Sequence, residues 1–244
     1  MTVASEIVAS MEPRPSLRER KKLATRRALR RASLDLVAER GFAHVTVEDI
    51  AEAADVSPRT FFNYFPSKEA ALFGADPGRT EALRQRLIQQ SPGESALEAL
   101  RIVLMEEARA RTEELCELGG DPASQLQRMK ASRLDPELGA ARAAHMAMVE
   151  TVVADALAER LGTDPAKDPY PLLLAMVAMG AMRAAMSFWA TSGGVVPLEQ
   201  LVDGASRALA DGLPEDCALR SVIATAPGMS PAAVSGSEKR KDEE

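Results

Sequence analysis

The stretch from Thr46 to Lys68, TVEDIAEAADVSPRTFFNYFPSK, leaves this chain less conformational freedom than any other. Thr46 is a good N-cap, and Glu48 and Asp49 place negative charge in the first turn that follows, where it suits the helix dipole. The pattern is close to a capping box, with Asp at the third position instead of Glu or Gln. Val47, Ile50 and Ala54 supply one apolar face for a short helix. Asp55-Val56 interrupts it, Ser57 caps again, and Pro58 occupies a first helical position, where its missing N–H costs nothing. The spacing predicts a second short helix from Pro58 to about Tyr64. Pro66 ends that helix, and Ser67 caps a third beginning at Lys68-Glu69. Two short helices joined by a turn of about three residues form a helix-turn-helix, whose second member can enter a DNA major groove. Val56 is placed to fill the angle between them. Arg59, Thr60 and Asn63 can donate to base edges or phosphates, and Tyr64 can offer its hydroxyl to a phosphate.

The surroundings of this stretch agree with it. Leu17 to Arg40 reads as a strong helix with Leu23, Leu29, Leu34 and Val37 on or near one face, and Gly41 ends it. Phe42 and Val45 seal the entrance to the helix pair. Between Arg14 and Arg31 there are nine basic residues and one acid, Glu19, a local excess of +8 in a chain whose net charge is −6. Residues 74–244 hold 18 of the 30 basic and 26 of the 36 acidic residues, a balance of −8. A basic head on an acidic body steers the head toward phosphate. Arg18 and Lys22, with Lys21, Arg26 and Arg27, are expected along the DNA backbone, and residues 1–15, with two prolines, are expected to form a mobile arm.

The run VTVxDIAxAAxVSxxTFFxYFxSKE strongly resembles the DNA-binding domain of the tetracycline-repressor (TetR) family of bacterial regulators, over roughly Leu17 to Phe73. The resemblance implies that Thr46 and Lys68 hold phosphates from the starts of their helices. It also implies that Arg59 and Thr60 face bases and that Asn63 and Tyr64 touch bases or backbone. The family often has Tyr where this chain has Phe62, so one hydroxyl contact to phosphate is lost at that DNA-facing position. The head also looks like an actinobacterial branch that includes the mycofactocin-type regulators, for which acyl-CoA ligands are implied.

Beyond the head, punctuation divides the chain into further helices. They are placed at 79–90, 94–118, 122–133, 136–161, 168–192 and 197–211, separated by Gly-, Asp- and Pro-rich stops such as Gly119-Gly120-Asp121-Pro122 and Gly193-Gly194. Gly74-Ala-Asp-Pro-Gly78 predicts a kink or short gap between head and body. With few aromatic residues, abundant Ala, Leu, Met, Glu and Arg, and no hairpin signal, the fold class is all-α. The expected division is an arm (1–15), a helix-turn-helix head (16–73), a ligand-binding and dimerisation body (74–212) and a largely disordered tail (213–244), in which Leu219 and Val222-Ile223 could dock. Tyr170 to Ala190 carries one charge, Arg183, and is otherwise apolar or small. A helix buried on nearly all sides is expected there in preference to a membrane span. With 197–211 it resembles the family's dimerisation pair, so a homodimer is expected, as a near-palindromic operator requires.

Seven methionines on the body helices suggest a cavity for apolar ligands. Its candidate walls are Met129, His145, Met148, Met179, Met182, Arg183, Met186 and Trp189. Arg183 needs a carboxylate partner or an anionic ligand group. Cys116 and Cys217 form no framework and no metal spacing. There is no catalytic constellation, glycine-rich phosphate loop or metal cluster, so neither an enzyme nor a bound cofactor is expected. Nor does the start read as an export signal, and a cytoplasmic, nucleoid-associated protein is expected. The reading is a ligand-responsive DNA-binding regulator: a homodimeric repressor released from its operator by an apolar or amphipathic effector. A ligand-independent regulator or activator is the alternative.

Overall fold

The computed structural model describes residues 16–118 and 138–225. These carry ten α-helices and a short 3-10 turn, with no strand among the described residues. The arm, the predicted helix at 122–133 with Met129, and residues 226–244 lie outside the described residues.

The head holds four helices. Helix α1 (Leu17–Arg40) opens on a capping box, in which the Ser16 hydroxyl accepts the Glu19 N–H and the Glu19 carboxylate accepts the Ser16 N–H. A 3-10 turn (Phe42–His44) leads to α2 (Val47–Ala53), α3 (Pro58–Phe62) and α4 (Lys68–Phe73). The turn between α2 and α3 closes as a Schellman motif, with Val56 N–H on Ala51 O at 2.9 Å and Asp55 N–H on Glu52 O at 3.0 Å. Asp55 takes the left-handed conformation, φ 55°, that glycine usually fills there. Leu29, Ile50, Phe61 and Phe65 are sealed in the core of the head. Each contributes about 1.5–3 kcal/mol by leaving water. Leu23 departs from expectation: it is 46% exposed, because none of the described residues packs over the first turns of α1.

The body comprises α5 (Pro77–Gln89), α6 (Ala96–Glu117), α7 (Leu138–Leu161), α8 (Tyr170–Thr191), α9 (Leu198–Ala210) and α10 (Ala218–Ala224). Helix α8 packs on α7 and α9, α9 on α6 and α10, and α5 on α7 and α6. Gly74 ends α4 in the left-handed region, φ 65°, and the expected gap before α5 spans Ala75-Asp76. A Cβ on Gly74 would lie 2.6 Å from the Arg30 guanidinium carbon, so the head–body corner is closed at glycine.

Two expectations about the body are corrected. Helix α8 is not buried on nearly all sides: Leu172, Leu173, Met176 and Val177 are all exposed, and only its other face, with Leu174, Ala178, Met182 and Ala185, meets the core. By length and composition it could cross a membrane, but its inner face packs on three helices of its own chain. The expected disorder from 213 onward does not extend to 218–224: Leu219, Val222 and Ile223 dock on the core, as the sequence allowed, and do so as helix α10, which lies across α9. Gly204 permits this approach, because a Cβ there would sit 3.0 Å from the Leu219 Cα.

Candidate nucleic-acid interface and effector cavity

Helix α3 is built to show one face. Ser57 Oγ accepts the Thr60 N–H at 3.1 Å, and Pro58 begins the helix. Phe61 and Phe65 are wholly buried and pin the inner face. Arg59 and Asn63 are exposed, Thr60 is half-buried beside Ser57, and Phe62 stands 56% exposed, held edge-on against Phe61 at 5.5 Å. Arg18 and Lys22 are exposed on α1. Tyr64 is half-buried, and its backbone carbonyl accepts from Arg26.

Other candidates are committed inside the protein. The Thr46 hydroxyl donates to Asp49 Oδ2 at 2.6 Å and accepts the Asp49 N–H, and the Thr46 N–H also goes to Asp49. These bonds hold the Asp49 carboxyl below its ordinary range. Lys68, expected to hold a phosphate, instead donates to the carbonyls of Phe42 at 3.0 Å and Val45 at 2.9 Å, with its ammonium 3.9 Å above the Phe42 ring. It satisfies the carbonyls left open by the 3-10 turn and ties that turn to α4.

The basic run divides in two. Arg18, Arg20, Lys21 and Lys22 face solvent. Arg26 and Arg27, expected along DNA, turn toward the body. Arg26 donates to Tyr64 O at 3.2 Å and Ala75 O at 2.7 Å, pairs with Asp76 at 3.3 Å, and lies over Phe65. Arg27 pairs with Glu117, and Arg30, 5% exposed, pairs with Glu114. Glu117 and Glu114 of α6 take Arg27 and Arg30, which stand about one turn apart on α1.

Where head meets body lies a cavity of about 260 Å³, walled by α1, α4, α5, α6, α7 and α8. His145, Met179, Met182, Arg183 and Met186 line it, as the sequence indicated, and Met146 and Val149 join them. Met148 does not: it is 52% exposed, because it falls outside the stripe of α7 that faces the cavity, formed by Arg142, His145, Met146 and Val149. Trp189 does not either. It is buried one turn past Met186, where the loop to α9 returns and Gly194 N–H meets its carbonyl. Arg183 has its carboxylate, Glu150, at 2.5 Å. His145 stacks on Phe73 of the head at 5.9 Å, and burial, then Arg111, pushes its pKa below the ordinary value.

The polar side of the cavity was missed. Arg30, Arg79, Glu107 and Arg111 line it. Arg79 gives its Nε–H to Glu107 at 2.6 Å and an Nη1–H to Glu114 at 2.7 Å. The signal was present on α6, where Leu100, Leu104, Glu107, Arg111 and Glu114 form a single helical stripe that begins apolar and turns charged without leaving the core face.

Comparison with known proteins places these features together. A model described as bacterial regulatory proteins, tetR family, matches residues 29–75. A second, described as the MftR C-terminal domain, matches residues 94–214. The HTH-type transcriptional regulator TcmR of Streptomyces glaucescens is 35% identical over 179 residues, covering 72% of this chain and 77% of TcmR. Among solved structures, the Thermus thermophilus FadR, a TetR-family repressor in complex with lauroyl-CoA, is 25% identical with a TM-score of 0.46. It matches over 78% of this chain and 95% of its own. The fatty acid degradation regulator FadR of Bacillus halodurans is 17% identical with a TM-score of 0.49, over 78% and 96%.

Proposed function

This chain belongs to the TetR family of DNA-binding transcriptional regulators, in its MftR-like branch, and on that premise we propose that it is a homodimeric repressor released from its operator when a small amphipathic effector fills the head–body cavity. The observation that carries the DNA assignment is α3, whose inner side is held by the fully buried Phe61 and, just past the helix, Phe65, while Arg59, Phe62 and the C-cap Asn63 are exposed and Thr60 is half-buried beside them. Arg59 and Asn63 read base edges. Phe62 offers an apolar contact of the kind a thymine methyl takes. Arg18 and Lys22 supply backbone contacts that set register.

The exposed stripe on α8 supports the dimer. Leu173, Met176 and Val177 continue into Gly180 and Ala184, small residues that let a second copy approach closely. Helix α9 takes a lesser part than the sequence suggested, because α6, α8 and α10 already cover most of it. The protein acts in the cytoplasm, on the nucleoid. Release is a population shift: the effector favours a subunit arrangement whose two α3 helices no longer match major grooves roughly 34–36 Å apart. It shifts that equilibrium only by its differential affinity for the two arrangements. A cavity of about 260 Å³ suits a compact effector. The test is selection of duplexes from a random pool by the full chain. Recovery of an inverted repeat supports the proposal, and uptake without sequence preference contradicts it.

A further inference from the structure

The charge on the cavity's polar side does not balance. Arg30, Arg79 and Arg111 converge there on two carboxylates, Glu107 and Glu114. Glu107 is drawn on further by Arg86 at 3.3 Å. Arg79 Nη2 and Arg30 Nε are buried donors without a hydrogen-bond partner among the described residues, on side chains that line the cavity. Arg111 comes no nearer than 3.9 Å to Glu107, on the same oxygen that already takes the Arg79 Nε–H. Burial, then the neighbouring Arg79 and Arg30, pushes the Arg111 guanidinium down to about 10. Buried donors of this kind carry a desolvation cost that an anion would remove. Across the cavity the walls are apolar, with Met146, Val149, Met179, Met182 and Met186.

We infer that the effector is an anionic amphiphile, its carboxylate, phosphate or sulfate head seated on Arg79 and Arg111 and its apolar tail lying among the methionines of α7 and α8. This rests on the cavity being the effector site. The seat also connects the ligand to the head. An anion that draws on Arg79 competes with Glu114, the carboxylate that holds Arg30 of α1. Ligand occupancy is thereby felt at an ion pair between reading head and body.

The experiment is titration calorimetry on the full chain with decanoate, decyl phosphate, decan-1-ol and decyltrimethylammonium, which share a tail and differ in head. Decanoate or decyl phosphate is expected to bind about tenfold or more tightly than decanol, as charge-assisted hydrogen bonds provide, and the ammonium more weakly than either. The two anions distinguish a carboxylate from a phosphate source. Arg111→Gln, which breaks only a long ion pair, is expected to bring the anions to within about threefold of decanol measured on the same variant. Decanol binding as tightly as both anions overturns the inference and leaves the cavity reading standing. An anion preference undiminished in both Arg111→Gln and Arg79→Gln overturns it as well. Absence of binding by every probe removes the inference and the cavity as effector site together.

Discussion

Replacing Glu114 with Gln removes one charge from the head–body junction without changing volume. Glu114 pairs with Arg30, whose side chain is 6% exposed, and with Arg79, whose second partner Glu107 remains. Arg79 therefore keeps a carboxylate, whereas Arg30 is left buried with no carboxylate paired to it among the described residues. Stranding a buried charge costs about 3–5 kcal/mol, and because Glu114 is 23% exposed the lower end applies, about 3 kcal/mol. For a chain of this size that lowers Tm by about 6–12 °C. Differential scanning calorimetry reads it directly. The double variant Arg30→Met/Glu114→Gln is expected to recover most of the loss, since an apolar side chain of similar length fills the place of the pair. The same group sets a pH dependence. Burial opposes its ionisation, but Arg30 and Arg79 prevail and hold Glu114 below its ordinary pKa of 4.5. A depressed folded pKa gives stability that is present above 4.5 and lost as pH falls from there through the folded value, and Glu114→Gln removes that part of the acid loss. A Tm within about 2 °C of the parent would show instead that the junction owes little to this pair.

Three further outcomes follow from particular contacts. Arg59→Ala is expected to cost about 1–3 kcal/mol on the operator and to relax selectivity at one base step, measured by competition between single-base operator variants. Lys68→Met is expected to lower the stability of the head by about 1.5–3 kcal/mol, because its ammonium holds two carbonyls, while the salt slope of DNA binding stays the same. A slope reduced by about one would restore Lys68 as a phosphate ligand. Gly204→Ala is expected to push α10 off α9, raising amide exchange across 218–224 with operator affinity unchanged.

The head was legible because its signals are local. Ser57-Pro58, Ser67 and Thr46 declare helix starts through bonds made within three residues, and each of those caps forms. Lys68 and Arg26 were misjudged for the opposite reason. Their partners, the carbonyls of Phe42, Val45, Tyr64 and Ala75, are backbone atoms 23 to 49 residues distant, which carry no mark in the sequence. The apolar side of the cavity could be inferred from methionine content, but Met148 shows that content without register misplaces residues. Its arginine side was hidden because charges on α6 read as solvated until α1 and α5 are folded against them. The exposed stripe of α8 reads as core in the sequence because apolar composition alone does not mark which side of a helix its own chain covers.

In the proposed function α3 enters duplex DNA twice, presented by a symmetric pair, until an effector ends the match. Hydroxyl-radical footprinting on the selected operator tests it most directly. Two equivalent protected patches are expected, centred about one helical turn apart, 10–10.5 base pairs, or a multiple of that, and both are expected to disappear together as decanoate is added. A single patch, or a pair that persists at saturating effector, would contradict it.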